Sequence, residues 1–346
     1  MLTSISIYSY ERPLTELDLI ERAIKYEPLE EIEERLSSIH DLNKIVFTHP
    51  WYETKETILE ALINRKGPLL NIIELMVNRG VVITDHIVCK YAERRPHDEW
   101  PDSAEVLDFL IKKSKKVNAH DERLKYAVHY AVTACNVPGL SVLLKAGADP
   151  NALDNRGNTP VMFAYDINVI NCLLAHGADV SKRNLDKETV FHVVRGWDHL
   201  KGKIVKKFLE QLAAQKPSRI NLINSQTTDG DTPLHYSVKK QKFSNNHHYA
   251  IASLLVCPVI DEKLVNNQGL TPYELAKKND HKVEGRMLHR YTIIKEMLSG
   301  KAKKQTILLP WPYEVAAIIA YYDAKNVLKK IYEDEMEAVK RSGLFD

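Results

Sequence analysis

The chain has 346 residues, 44% hydrophobic and 27% charged, a balance that excludes an intrinsically disordered, collagen-like or disulfide-scaffold protein. Only 13 residues are glycine, which weighs against an all-β fold built on many tight turns. The formal net charge of +2 gives no global reason to expect nucleic acid, although charge is uneven: residues 1–50 carry ten acidic and five basic side chains, and residues 201–300 carry sixteen basic and nine acidic.

In chain order, Leu14, Leu17, Ile20 and Ile24, then Leu29, Ile32 and Leu36, lay out apolar helix faces. They predict an N-terminal helical cap over residues 1–51. Leu75-Met76-Val77-Asn78-Arg79-Gly80 and Phe109-Leu110-Ile111 through Asn118-Ala119 then begin a pattern that sharpens downstream. Leu143-Leu144-Lys145-Ala146-Gly147-Ala148-Asp149-Pro150-Asn151-Ala152 returns 30 residues later as Leu173-Leu174-Ala175-His176-Gly177-Ala178-Asp179-Val180-Ser181. A second element reads Gly157-Asn158-Thr159-Pro160. It recurs as Gly230-Asp231-Thr232-Pro233-Leu234-His235 and Gly269-Leu270-Thr271-Pro272, with a degraded copy at Glu188-Thr189-Val190-Phe191-His192. Thr caps a helix and Pro follows where no amide donor is needed. A second helix ends in Leu-Leu, and Gly147 or Gly177 supplies the left-handed stop. Leu143, Leu144, Leu173, Leu174, Leu254 and Leu255 are the expected core. The steps from Thr159 to Thr189, Thr232 and Thr271 are 30, 43 and 39 residues, so insertions are expected near 197–221 and 241–248.

Both elements, in register and repeated, resemble the ankyrin repeat. The resemblance implies an all-α ankyrin-repeat solenoid of helix–turn–helix units with helical N- and C-terminal caps. The array is expected over 52–283, degenerate over 52–119 and clear over 120–283, with a helical region at 284–346. It implies that the imidazole of His235 hydrogen-bonds between neighbouring units, and that turn tips and first helices line a concave groove that binds a protein partner. Mapped onto this sequence, the partner-binding candidates are Asn155, Arg156, Asn158, Asp186, Glu188, Asp229, Asp231, Lys239 and Lys240.

Reaction signatures are absent: no G-x-x-x-x-G-K, G-x-G-x-x-G, H-E-x-x-H or G-x-S-x-G occurs. The expectation is a non-catalytic monomer with no cofactor and no metal, binding protein rather than nucleic acid. Cys89, Cys135, Cys172 and Cys257 form no C-x-x-C pair, as expected of reduced, mostly buried thiols in a cytoplasmic protein. No signal peptide is expected at residues 1–10. The longest apolar runs, 251–260 and 315–322, fall short of the about 20 residues that a membrane helix requires. Lys112, Lys113, Lys115 and Lys116 cluster, as do Lys301, Lys303 and Lys304, in the manner of a nuclear address or a contact for an acidic partner.

Near the end, Glu333, Asp334, Glu335 and Glu337 precede Leu344-Phe345. This resembles the export signal of the type IV secretion effectors of intracellular bacteria such as Legionella, among which ankyrin proteins are frequent, and implies a virulence effector acting on a host protein in the host cytosol. Leu309-Pro310-Trp311-Pro312-Tyr313-Glu314-Val315 also resembles an F-box, which would imply a ubiquitin-ligase adaptor, but its spacing departs from that pattern. An enzyme with its site in the flanks is the remaining alternative.

Overall fold

The computed structural model describes residues 69–94, 102–193, 198–215, 217–239 and 260–279 continuously, together with position 254 and short stretches between 28 and 67. Most of the expected N-terminal cap, the whole of 284–346 with its export and adaptor motifs, the insertion at 241–248, Lys240, Leu255 and Cys257 lie outside the described residues. The chain divides into two compact units, residues 1–122 with 126–148, and residues 123–125 with 149–346.

The first unit is built from paired helices: α1 (Ile58–Ile63) with α2 (Leu70–Asn78), α3 (Asp85–Glu93) with α4 (Ser103–Ser114), and α5 (Ala127–Thr133) with α6 (Val137–Lys145). First helices α1, α3 and α5 pack in one row and second helices α2, α4 and α6 in another. Each buries a single apolar face, such as Val106, Leu107, Leu110 and Ile111 of α4, and burial of these stripes drives the stacking. The starts and stops have local causes. Thr84 accepts from the Ile87 amide at 3.3 Å to open α3. Asp102 Oδ2 accepts from the Leu69 and Leu70 amides at 2.6 and 2.7 Å and so closes the start of α2. Lys115 ends α4 in the left-handed conformation, φ 57°. One departure from the all-helical expectation precedes α1: Val46–Thr48 (β1) pairs antiparallel with Lys55–Thr57 (β2), Val46 opposite Thr57.

The second unit repeats the same plan. The turn of 3-10 helix Pro160–Phe163 leads to α7 (Ile167–Ala175), α8 (Val190–Val193) leads to α9 (Asp198–Gln215), and α10 (Pro233–Lys239) and α11 (Pro272–Lys278) are further first helices. α9 is the insertion expected near 197–221: at 18 residues it is twice the length of α7, and the 3-10 helix Pro217–Asn224 packs against it. Ile204, Val205, Phe208 and Leu212 are its buried stripe.

Within each unit, neighbouring repeats are also pinned by asparagine. Asn151 Nδ2 donates to the Gly177 carbonyl at 3.0 Å, and its Oδ1 accepts from the Asp179 amide at 2.7 Å. The same double brace occurs in the first unit, where Asn43 donates to the Gly80 carbonyl at 2.8 Å and accepts from the Val82 amide at 3.0 Å. Leu143, Leu144, Leu173 and Leu254 are buried as expected. Leu174 is only half-buried, unlike Leu144 at the corresponding place after Leu143. Cys89 is buried, whereas Cys135 and Cys172 are half-buried.

Candidate functional site

The turns of the second unit are zipped into a ladder. The Asn155 amide donates to the Arg123 carbonyl at 3.1 Å, and Leu185 to Arg156, Thr228 to Asp186 and Asn267 to Asp229, each at 3.0 Å. Each tip therefore rests its backbone on the tip before it. Within each tip the chain doubles back in the same way: Asp154 N–H to Asn158, Asn184 to Glu188, Thr227 to Asp231 and Asn266 to Leu270. The reversal requires a positive φ at its fourth residue, supplied by Gly157, Gly230 and Gly269. Gly230 is also crowded: a Cβ there would fall 2.4 Å from Asn267 Oδ1 and 2.7 Å from its amide nitrogen. In the third tip Lys187 holds that place at φ 61°.

The ladder splits the sequence-selected residues into two groups. Asn155, Arg156, Asp186 and Asp229 are exposed. Asn158, Glu188 and Asp231 are buried, Asp231 to 1%. The buried three hold neighbouring repeats together. Asn184 Nδ2 donates to Asn158 Oδ1 at 2.8 Å and to Glu188 Oε2 at 2.7 Å. The Tyr236 hydroxyl donates to Glu188 Oε1. Asp231 accepts from Asn266 Nδ2 at 2.9 Å and from the Lys239 ammonium. Burial, reinforced by Glu188, raises the Tyr236 phenol well above its ordinary range, so it stays a donor. Asp166 is likewise committed, accepting from the Asn168 and Val169 amides at 2.8 and 3.1 Å to cap α7. Local sequence does not mark Arg123 or Lys187 as tip residues of note, whereas the repeat spacing itself places Leu185 at a tip, where the second and fifth tips carry Asn155 and Asn267. Leu185 is 72% exposed.

Histidines tie the first helices together. His235 Nδ1 accepts from the Thr232 amide at 3.1 Å and faces its hydroxyl at 2.8 Å, leaving the proton on Nε2, which donates to the Leu270 carbonyl of the next repeat at 2.8 Å. His192 repeats this with Thr189 and, at 3.2 Å, with the Asp231 carbonyl. Burial lowers both imidazoles below their ordinary value, His192 to about 4, so both are neutral near pH 7. The bond between neighbouring repeats expected of His235 is present, and the geometry is that of a structural brace.

Lys112 pairs with Asp108 at 2.6 Å and Lys116 with Asp85 at 2.7 Å, so two of that basic cluster are engaged on their own surface. Among the described residues no group of three or more His, Cys, Asp or Glu side chains could hold a metal ion, and no helix is long and apolar enough to cross a membrane.

Residues 100–184 match the family model "Ankyrin repeats" in three copies. Curated relatives include alpha-latrocrustotoxin-Lt1a of Latrodectus tredecimguttatus, 29% identical over 150 residues, covering 42% of this chain and 10% of the toxin. Another is the putative ankyrin repeat protein L271 of Acanthamoeba polyphaga mimivirus, 33% identical over 72 residues, covering 21% and 10%. The chain thus spans about a tenth of the length of these relatives. Among solved structures, an ankyrin repeat domain of Acinetobacter baumannii superposes with a TM-score of 0.44 at 22% identity, covering 60% of this chain and 98% of that one. With Thr-Pro starts and the tip ladder continuing beyond the matched residues as far as Asn267 and Pro272, the chain carries ankyrin repeats on a fold that is helical apart from one short ribbon.

Proposed function

We propose that the chain is a non-catalytic interaction module that binds a protein partner through the exposed turn tips and the adjoining first-helix faces of its second unit. One observation carries this reading. Asn155, Arg156, Leu185, Asp186 and Asp229 are exposed on a backbone ladder, while the polar groups behind them are consumed by bonds inside the array. A surface already ordered by its own hydrogen bonds loses little entropy on binding. Glu188 and Asp231 support this surface from behind rather than touching a partner.

The test is affinity capture from eukaryotic cell lysate, comparing the wild type with an Arg156→Ala, Asp186→Ala, Asp229→Ala variant. A partner retained by the wild type and lost from the variant, at unchanged melting temperature, supports tip recognition. A partner retained equally by both sinks it and moves the site to the flanks.

The finer reading, an effector exported by a type IV system and acting on a host protein, is supported by the acidic block Glu333, Asp334, Glu335 and Glu337 of the tail alone. A translocation reporter fused to the chain, with those four residues changed to Ala, tests it. Undiminished delivery of the variant, or none of the wild type, removes that reading and leaves the module intact.

A further inference from the structure

Building on the reading of the tips as the recognition surface, we infer that the tip row of the second unit sorts charge along its length. It selects an extended protein segment in which an acidic stretch and a basic stretch flank an apolar residue.

The ladder fixes the order of the tips, and the residue whose carbonyl carries each rung is, in succession, Arg123, Arg156, Asp186 and Asp229. All four are exposed. Two cations are therefore followed by two anions, with no alternation. Neighbouring positions, such as Glu122 and Lys187, carry mixed signs, so the sorting belongs to one position per tip. The carboxylates behind the row do not blur it: Asp231 is paired with Lys239 and Asn266, and Glu188 accepts from Tyr236 and Asn184.

Leu185 stands where the sign changes. At 72% it is the most exposed of the large apolar side chains described. Its amide is the rung to Arg156, and it lies against Gly157, where a Cβ would meet Leu185 Cγ at 3.3 Å. An apolar anchor flanked by exposed charges divides the work of recognition: the anchor contributes burial, and the charges contribute register and rejection of wrong partners. The complementary segment places carboxylates over Arg123 and Arg156, an apolar side chain on Leu185, and ammonium or guanidinium groups over Asp186 and Asp229. A uniformly anionic ligand is repelled by half of the row.

Fluorescence anisotropy on the full chain, with three labelled peptides of equal length, tests this. One has a Glu block, a central Leu and a Lys block. The second has the same composition with Glu and Lys alternating. The third is uniformly basic around the same Leu. The segregated peptide is expected to bind roughly tenfold more tightly than the alternating one, the sum of several weak exposed ion pairs, with the margin shrinking as salt rises. Arg123→Glu with Arg156→Glu makes the row wholly acidic and is expected to shift preference to the basic peptide. Equal binding of the segregated and alternating peptides overturns charge sorting. If Leu185→Ala then weakens both alike, the tips remain the recognition surface and only the sorting falls. If neither Leu185→Ala nor the charge reversal changes any peptide's binding, both readings fall.

Discussion

Thr159-Pro160 and Thr232-Pro233 open equivalent segments of the second unit, yet the two segments differ in form. From Pro233 the chain runs as an α-helix to Lys239, whereas from Pro160 it makes a four-residue 3-10 helix and leaves at Ala164 in an extended conformation. Three residues after the threonine one segment has His235 and the other Met162. The Thr232 hydroxyl meets His235 Nδ1, and the imidazole reaches on to the Leu270 carbonyl. The Thr159 hydroxyl is fully buried and has no hydrogen-bond partner. The contrast separates two jobs that the motif merges: Thr-Pro starts the turn, but the imidazole satisfies the buried threonine and bonds one repeat to the next.

The largest expected effect comes from removing that imidazole where it is present. His235→Ala strands the Thr232 amide and hydroxyl and the Leu270 carbonyl in one change. At roughly 1–3 kcal/mol for each buried group left without a partner, a loss of about 3 kcal/mol or more is expected, read from the shift of the urea denaturation midpoint. A loss below about 1 kcal/mol means that water replaces the ring, and the contrast with Met162 loses its energetic basis.

Acid should approach the same endpoint without a mutation. The folded His192 takes up its proton only near pH 4, whereas the unfolded chain does so near the ordinary histidine value of about 6.5. The unfolded state therefore binds more protons between those values, and stability falls as pH drops through that window. It is fully present above about pH 6.5. The slope is about 1.4 kcal/mol per pH unit, or roughly 3 kcal/mol over the whole interval for this residue; His235, lowered by the same burial, adds in the same direction. Denaturation series at pH 7, 6 and 5 check the sign. Stability that is flat over that range would mean that the rings are accessible to protons in the folded state.

A smaller effect of the same kind lies in the tip turns. Lys187 adopts φ 61° in the place where its counterparts are Gly157, Gly230 and Gly269. Lys187→Gly should relieve the left-handed strain of about 1–2 kcal/mol, less the entropy that glycine adds to the unfolded chain, for a net gain below about 1 kcal/mol. It should raise the melting temperature by a few degrees at most. A decrease would show that the lysine stem packs on the turn to an extent that outweighs the strain.

Much of this architecture is legible in the sequence wherever its cause is local. The left-handed stop at Gly147 and Gly177, and the cap that Thr271 forms with Glu274 at α11, need only their own neighbours. The phase of a helix face is nearly local, yet the same doublet buries both residues at Leu143-Leu144 and only the first at Leu173-Leu174, so the doublet alone does not set the burial of its second leucine. The polar tips are less legible. Asn158, Glu188 and Asp231 read as surface because turns are polar, but their burial is set by Asn184, Tyr236 and Asn266, between 4 and 48 residues away. Only folding brings those partners into reach, so composition at the tip could not distinguish a brace from a contact. The ribbon of β1 and β2 is hidden for a related reason: three-residue strands carry too few alternations to stand out.

The finest test rebuilds the missing brace. Met162→His places an imidazole three residues after Thr159, where His235 and His192 stand in their own repeats. If spacing alone sets the geometry, Nδ1 satisfies the Thr159 hydroxyl, at the cost of some packing of the buried Met162 side chain, and a net gain of about 0.5 kcal/mol is expected. So small a shift decides little by itself, but its coupling to residue 159 does. In the wild type, Thr159→Val removes a buried hydroxyl that has no partner, so it should be neutral or stabilising. In the Met162→His background, the same substitution deletes a hydrogen bond and should destabilise. The sign reversal is a property of the pair and survives errors in either single value. Additive effects in the double-mutant cycle would show that the backbone of the 3-10 turn, rather than the side chain at 162, keeps Thr159 from a partner, and the difference between the two segments would then lie in how the chain leaves Ala164.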